Sequence, residues 1–231
     1  MLRLPLYVEA SKLRVLVVGG GNVGTRRALM FHDAGAKVKV VSLVFSDKLR
    51  KAAEKSDRLE LLRINAFDQE EMKRLTNWAN VVVIATDNPE LNKMVSRIAR
   101  QNDCLVNNAT DASDADIVVP FEVTVDGIRV AVTTEGKAGV VARIASERIK
   151  NLLEKDVELL TMMKAMSKAK EYMKEKIGKA KDRLPLYFEI EKDKVFREHA
   201  KRGDVEGAWR RAKELVDARI EELQRSSQRS F

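Results

Sequence analysis

The stretch Leu13-Arg14-Val15-Leu16-Val17-Val18-Gly19-Gly20-Gly21-Asn22-Val23-Gly24-Thr25-Arg26-Arg27-Ala28-Leu29 decides the fold. An unbroken apolar run hands over to glycines and then to an amphipathic segment, which predicts a buried strand, a tight turn and a helix. The glycines fall as Gly19-x-Gly21-x-x-Gly24. In that pattern Gly19 permits the turn, Gly21 lets backbone approach a pyrophosphate, and Gly24 lets the helix pack closely on its strand. The helix start, Asn22 and Val23, offers unpaired N–H groups and the positive end of the helix dipole. A bare GxGxxG is often a plain glycine turn. Here a strand precedes it, a helix follows, and a second apolar strand comes at 37–42, so the pattern is read as a dinucleotide fingerprint.

Working outward, strands expected at 14–18, 37–42, 59–64, 81–85 and 105–107 alternate with helices at 23–34, 47–56, 69–75 and 89–101. Serial alternation of this kind predicts an α/β, Rossmann-like doubly wound parallel sheet with its ligand crevice at the carboxyl ends of the strands. Ser42 closes the second strand, and Thr86 and Asp87 follow the fourth. With Gly19, Gly21, Asn22, Val23 and Gly24 they complete the candidate cofactor contacts. An acid about 20 positions after the glycines normally holds the adenosine ribose; this chain has Ser42 there, and its next acid is Asp47.

After residue 112 the texture changes. Two β-rich runs, 117–125 and 128–134, flank Asp126-Gly127, a hairpin turn signal. From Ala138 to about Lys181 apolar residues recur at helical spacing, predicting one long helix or two joined ones. Its methionines, Met162, Met163, Met166 and Met173, are read as packing residues. Helices at 194–201 and 205–224 precede a polar tail, Ser226–Phe231. The expected division is a nucleotide-binding domain over 1–112, a β-hairpin/long-helix dimerisation segment over 113–150 and a small helical carboxy-terminal domain over 151–231. One internal echo, Arg3-Leu4-Pro5-Leu6-Tyr7-Val8-Glu9 against Arg183-Leu184-Pro185-Leu186-Tyr187-Phe188-Glu189, is too short to establish a repeat and reads as two extended segments.

With 231 residues and 45% hydrophobic content the chain is long enough for one large core or two modest ones. Its net charge of +8 is compatible with nucleic acid, an anionic membrane or an acidic small molecule. Aromatics are only 5% and the basic residues are interleaved with acids, so no stacking platform for single-stranded nucleic acid stands out. The single cysteine, Cys104, cannot form an internal disulfide and is read as a filler; no Cys/His cluster marks a structural zinc. Of the two histidines, His32 is read as structural. No stretch has the length of a membrane span, and a cytoplasmic protein is expected.

Three stretches at predicted strand ends carry chemistry: Ala85-Thr86-Asp87-Asn88-Pro89-Glu90-Leu91-Asn92, Val106-Asn107-Asn108-Ala109-Thr110-Asp111, and Thr133-Thr134-Glu135-Gly136-Lys137-Ala138-Gly139-Val140-Val141-Ala142-Arg143. With Pro5-Leu6-Tyr7-Val8 and the glycine loop they resemble the siroheme synthase amino-terminal domain family over roughly residues 4–150. The resemblance implies an NAD-dependent precorrin-2 dehydrogenase that passes a hydride to nicotinamide and forms sirohydrochlorin. Some members also insert ferrous iron, as a second substrate. The substrate class carries eight carboxylates, so Lys137, Arg143 and Arg129 are candidate grips, and Thr134 stands where the family often has a serine.

Two departures follow. The family's aspartate after this Val-Asn aligns ungapped with Thr110, leaving Asp111 as the candidate catalytic carboxylate, with turn capping as its alternative role. In the glycine-rich turn Glu135 replaces a glycine and Ala138 a serine. A homodimer built around residues 113–165 is expected. The competing reading is a non-enzymatic NAD-sensing regulator whose basic helical tail, Lys164 to Lys181, binds nucleic acid; the interspersed acids and the lack of a nucleic-acid motif weigh against it.

Overall fold

The computed structural model describes residues 3–228; Met1, Leu2 and the end of the polar tail, residues 229–231, lie outside the described residues. Five parallel strands, β1 (Arg14–Val18), β2 (Lys37–Val41), β3 (Leu59–Leu62), β4 (Val81–Ile84) and β5 (Leu105–Asn108), form one sheet in the order β3-β2-β1-β4-β5. Helices α1 (Asn22–Asp33), α2 (Asp47–Ala53), α3 (Gln69–Trp78) and α4 (Pro89–Gln101) make the crossovers. The strand order reverses at β1, which pairs with both β2 and β4. A doubly wound sheet opens its crevice at that point.

Alternation along the central strands supplies two cores. Val15, Val17, Val38, Val40 and Val83 point to one face, against Ala28 and Leu49. Leu16, Val18, Val82 and Ile84 point to the other, against Met72, Leu75, Val95 and Ile98. All four residues of β4 are buried, as expected of a strand covered on both sides. Each such side chain contributes about 1.5–3 kcal/mol by leaving water. Helix starts are set locally: Ser46 accepts from the Leu49 N–H, Asp68 from those of Glu70 and Glu71, and Asn88 from that of Leu91 with Pro89 beginning its helix. By contrast, α1 begins at Gly21 with no side-chain cap.

The chain divides into two compact units, one of residues 1–120 with 133–139 and the other of 121–132 with the chain from Val140 onward. The second unit holds an antiparallel hairpin, β6 (Phe121–Val125) and β7 (Ile128–Val132), and helices α5 (Gly139–Lys155), α6 (Val157–Lys176), α7 (Ala180–Lys192), α8 (Lys194–Lys201) and α9 (Val205–Gln228). Asp126 and Gly127 take φ of 46° and 89°, the primed turn that the Asp-Gly pair predicts. The stretch 113–150 is therefore not one body. Its hairpin buries Val123 and Val125 with Leu153, while 133–139 clusters with the parallel-sheet unit.

The remaining core of this unit is helix on helix. Small residues Ala165, Ala169, Ala208 and Ala212 admit close approach around Met173, Leu186, Ile190, Phe196 and Val216. Of the methionine stripe, Met173 is fully buried and Met162 and Met166 pack against this core, whereas Met163 is exposed. Of the two expectations from Ala138, one long helix or two joined ones, the structure shows two, parted at Asp156, whose carboxylate caps α6 through the Leu159 N–H at 2.9 Å. The internal echo is corrected: its second copy is not extended but lies inside α7, Pro185 included, while the first has neither helix nor strand. Burial explains the difference, since Leu186 and Ile190 are one helical turn apart and both fully buried, whereas Leu4 and Leu6 are exposed.

Candidate active site

At the carboxyl edge of the sheet the glycine loop is held by backbone. The Gly19 N–H donates to the Val41 carbonyl and the Ala85 N–H to that of Val18, so the ends of β1, β2 and β4 are stitched together. Gly19 has φ of 116°, and a Cβ there would collide with the Ala85 carbonyl. A Cβ on Gly24 would collide with the Gly19 carbonyl, which explains the close helix–strand approach. Gly21 differs: nothing lies within 4 Å of a Cβ built on it. Open space above Gly21, next to an uncapped helix N-terminus, fits a pyrophosphate. Ser42 lies beside the same loop, where a Cβ built on Gly20 would run into it, and donates its hydroxyl to the Val44 carbonyl at 2.8 Å.

Thr86 and Asp87 leave β4 beside this loop. The Thr86 hydroxyl donates to the Asn92 side-chain carbonyl at 2.5 Å, and the Asn92 amide donates to the Thr86 carbonyl at 3.1 Å and the Thr110 hydroxyl at 3.1 Å. Thr110 in turn donates to the side chain of Asn108 at 2.8 Å, and the Asn108 amide reaches Asp114 at 3.2 Å. Asn92 and Asn108 are only 5% and 6% exposed. Buried amides with their hydrogen bonds made fix geometry, because misalignment leaves a desolvated polar group unpaired. The chain of bonds ties the rim loop after β4 to the rim loop after β5. Sequence reading missed Asn92 and Asn108 as members of the site, although Asn92 closes the quoted Ala85–Asn92 stretch.

Arg100 completes the far end. It binds Asp114 at 2.6 Å and Asp116 at 3.1 Å, and the Asp116 carboxylate also accepts from the Val106 N–H. Burial pushes the Asp114 carboxyl up, but hydrogen bonds from Arg100, Asn108 and Ser96 outweigh it and leave its pKa below the usual carboxylate value. Asp111 caps a short 3-10 turn, Ala112–Asp114, accepting from the Ser113 hydroxyl at 2.6 Å and its N–H at 2.9 Å. Those two bonds, the hydroxyl first, hold its carboxyl below the usual carboxylate range, and Asp111 is exposed.

The turn 133–139 packs here. A Cβ on Gly136, which has φ of 87°, would run into Ala112, and Arg3 bridges the same loop by donating to the Ala112 and Ala115 carbonyls. Within the turn the Thr134 hydroxyl accepts from the Ala138 N–H at 3.0 Å, and Lys137 is exposed. The other two candidate grips belong to the second unit, each with an acidic partner: Arg129 pairs with Glu122, and Arg143 with Glu147 at 2.5 Å. His32 bonds Asp33 and Ser56, and Cys104 is buried against the carbonyls of Thr76 and Ala79 with its thiol pKa raised by burial, which makes it unreactive.

Between one face of α4 and the loop after β5 lies a cavity of about 850 Å³, which Thr86, Asp87, Thr110 and Asp111 border. The rim residues thus share one space. Residues 6–121 match a family model described as "Putative NAD(P)-binding". The chain belongs to this NAD(P)-binding family. Its similarity to the "Precorrin-2 dehydrogenase" of Methanosarcina barkeri is 27% identity over 188 residues, 81% of this chain and 82% of that one. To "Siroheme synthase 1" of Pectobacterium atrosepticum it is 35% over 150 residues, 65% of this chain and 30% of that one. The solved structure of "SirC, precorrin-2 dehydrogenase" superimposes with a TM-score of 0.72 at 22% identity, covering 94% of this chain and all of that one, and it shares the fold. The family assignment agrees with the resemblance drawn from the glycine loop and the Ala85–Asn92 stretch.

Proposed function

We propose that this NAD(P)-binding family member oxidises precorrin-2 to sirohydrochlorin with NAD as hydride acceptor. The observation that carries the reading is the joining of two features in one unit: a glycine loop open above Gly21, and a polar cavity that begins at Thr86 and Asp87 and ends at Asp111. The similarity to precorrin-2 dehydrogenase along four-fifths of both chains supports the substrate. Bound NAD supplies the hydride acceptor. Gly19, Gly21 and Gly24 with the N-terminal turn of α1, Asn22 and Val23 included, would cradle the pyrophosphate, and Ser42, Thr86 and Asp87 would complete the cofactor contacts. Asn92 holds Thr86 and Thr110 in register, so the two rim loops keep a constant spacing. Asp111, ionised and exposed at the cavity wall, accepts the proton that leaves the macrocycle. Thr134 and Lys137, in the turn that packs on the loop after β5, are proposed to bind the substrate.

A homodimer is part of the proposal. Helix α5 exposes Val140 (66%), Val141 (56%) and Leu152 (68%), with Ile144 between them, an apolar stripe at helical spacing that a second copy covers. Light scattering that finds a monomer at working concentration overturns this part. Ferrous iron is proposed as a second substrate, inserted into the product.

Anaerobic absorbance of the protein with precorrin-2 and NAD tests the reaction. One NADH formed per sirohydrochlorin is the expected result, and no NADH from competent substrate with NAD binding intact overturns it. Ferrous ion added afterwards, compared with the protein-free rate, reads out iron insertion.

A further inference from the structure

The cavity has two walls of different charge. Its helix wall is one face of α4, running from Pro89 through Asn92, Lys93, Ser96 and Arg97 to Arg100, at the three- and four-residue spacing of a single stripe. Its loop wall carries Asn108, Thr110, Asp111 and Asp114. Of the three cations on the helix wall, Arg100 is consumed by Asp114 and Asp116. Lys93 and Arg97 are exposed, and among the described residues neither has an ion pair or side-chain hydrogen bond. They are four residues apart, so their Cα atoms are separated by roughly 6 Å along the helix axis. The acids behave differently: Asp114 is neutralised by Arg100 and Asp111 is bonded by Ser113, leaving Asp87 at the mouth.

We propose that Lys93 and Arg97 form a carboxylate-binding subsite for the rim of the substrate macrocycle. This rests on the precorrin-2 reading. A ligand that is anionic throughout would be repelled by Asp87 and Asp111. A flat macrocycle with carboxylates at its periphery and N–H donors at its centre offers groups to both walls, its carboxylates to Lys93 and Arg97 and its N–H groups to the acids of the loop wall. Arg97 supplies a planar fork that takes a carboxylate bidentately, and Lys93 a flexible point charge that follows a second one. The other nominated arginines, Arg129 and Arg143, already have Glu122 and Glu147 as partners, so α4 supplies free positive charge that they do not.

The test uses the full chain and the product, sirohydrochlorin, as the binding probe, by equilibrium dialysis under anaerobic conditions. Lys93→Gln/Arg97→Gln is compared with wild type and with Lys51→Gln, an exposed cation of α2. Both substituted residues are on the helix surface, so melting temperature and NAD affinity are expected to hold. The double variant should bind sirohydrochlorin about tenfold to a hundredfold more weakly, with a matching rise in KM for precorrin-2 and a shallower salt dependence. Lys51→Gln should match wild type. Wild-type affinity in the double variant overturns the subsite while leaving the dehydrogenase reading intact. A wild-type protein that neither binds sirohydrochlorin nor turns over precorrin-2 overturns both.

Discussion

The rim of the sheet unit and the packed helices of the helical unit place charge differently. In the helical unit polar groups close on one another: Arg211 grips Asp193 at 2.8 Å, Tyr172 donates to Asp217 at 2.6 Å, Lys213 reaches the same carboxylate at 2.9 Å, and Arg197 binds Glu158 at 2.9 Å. In the sheet unit the network that ties the rim loops leaves the N-terminus of α1 uncapped, Gly21 open, and Lys93 and Arg97 unmatched. The lesson is local: at the rim of the sheet unit groups are left free where a ligand can satisfy them, while these pairs of the helical unit satisfy one another.

Breaking that contrast begins with the core of the helical unit. Phe196 is fully buried, and Phe196→Ala should cost about 3–5 kcal/mol while NAD affinity at a temperature where the protein stays folded remains unchanged. Each unit holds one of the two tryptophans, Trp78 and Trp209, so Trp78→Phe and Trp209→Phe backgrounds report unfolding of each unit separately. Loss of NAD affinity in folded Phe196→Ala would erase the distinction. In the sheet unit Gly24→Val should do the reverse, weakening NAD binding by about a hundredfold or more, since the added carbons meet the Gly19 carbonyl and shift the loop.

Next in size is Asp111→Asn, which should lower kcat by about 10²-fold or more if the carboxylate takes the proton; unchanged activity would remove it from the mechanism and leave the turn cap. A double-mutant cycle of Thr86→Val and Thr110→Val sharpens the comparison further. These threonines both bond Asn92, so their effects on kcat should couple by about 0.5–2 kcal/mol. Strict additivity would show that the rim loops are not joined through Asn92.

The smallest effect is in acid. Asp114 in the sheet unit and Asp193 and Asp217 in the helical unit all have lowered pKa values, Asp193 through Arg211 first and Asp217 through Tyr172 first. A carboxylate depressed in the folded state contributes stability that is present above its unfolded pKa, about 3.9, and is lost as pH falls through the lowered value. Both tryptophan reporters should therefore be flat from pH 7 to 5 and fall below about pH 4.

Local pattern made most of the sheet legible. The runs Val15–Val18 and Val81–Ile84 announced buried strands, and Asp126-Gly127 announced its turn, because each depends on neighbours in sequence. Two joined helices after Ala138 were among the expectations, but the joint was not placed at Asp156, although an Asp followed by Val157-Glu158 is a helix-start signal. The echo at Arg183–Glu189 was misread because Leu186 and Ile190 are drawn into a helical core that no seven-residue window reveals. The rim network was hidden for the same reason. Asn92 meets Thr110 across 18 residues, and Ser96 meets Asp114 across 18, distances at which sequence spacing says nothing about contact. Lys93 and Arg97 were visible as an i, i+4 pair, but the wall that makes them a cavity comes from the loop after β5.

Backbone hydrogen exchange with and without saturating NAD tests the central contrast most directly. NAD should slow exchange at residues 20–25 and at 85–88, and leave the amides of α6 and α9 at their ligand-free rates. Protection centred on α6 and α9, with the glycine loop unaffected, would contradict the account.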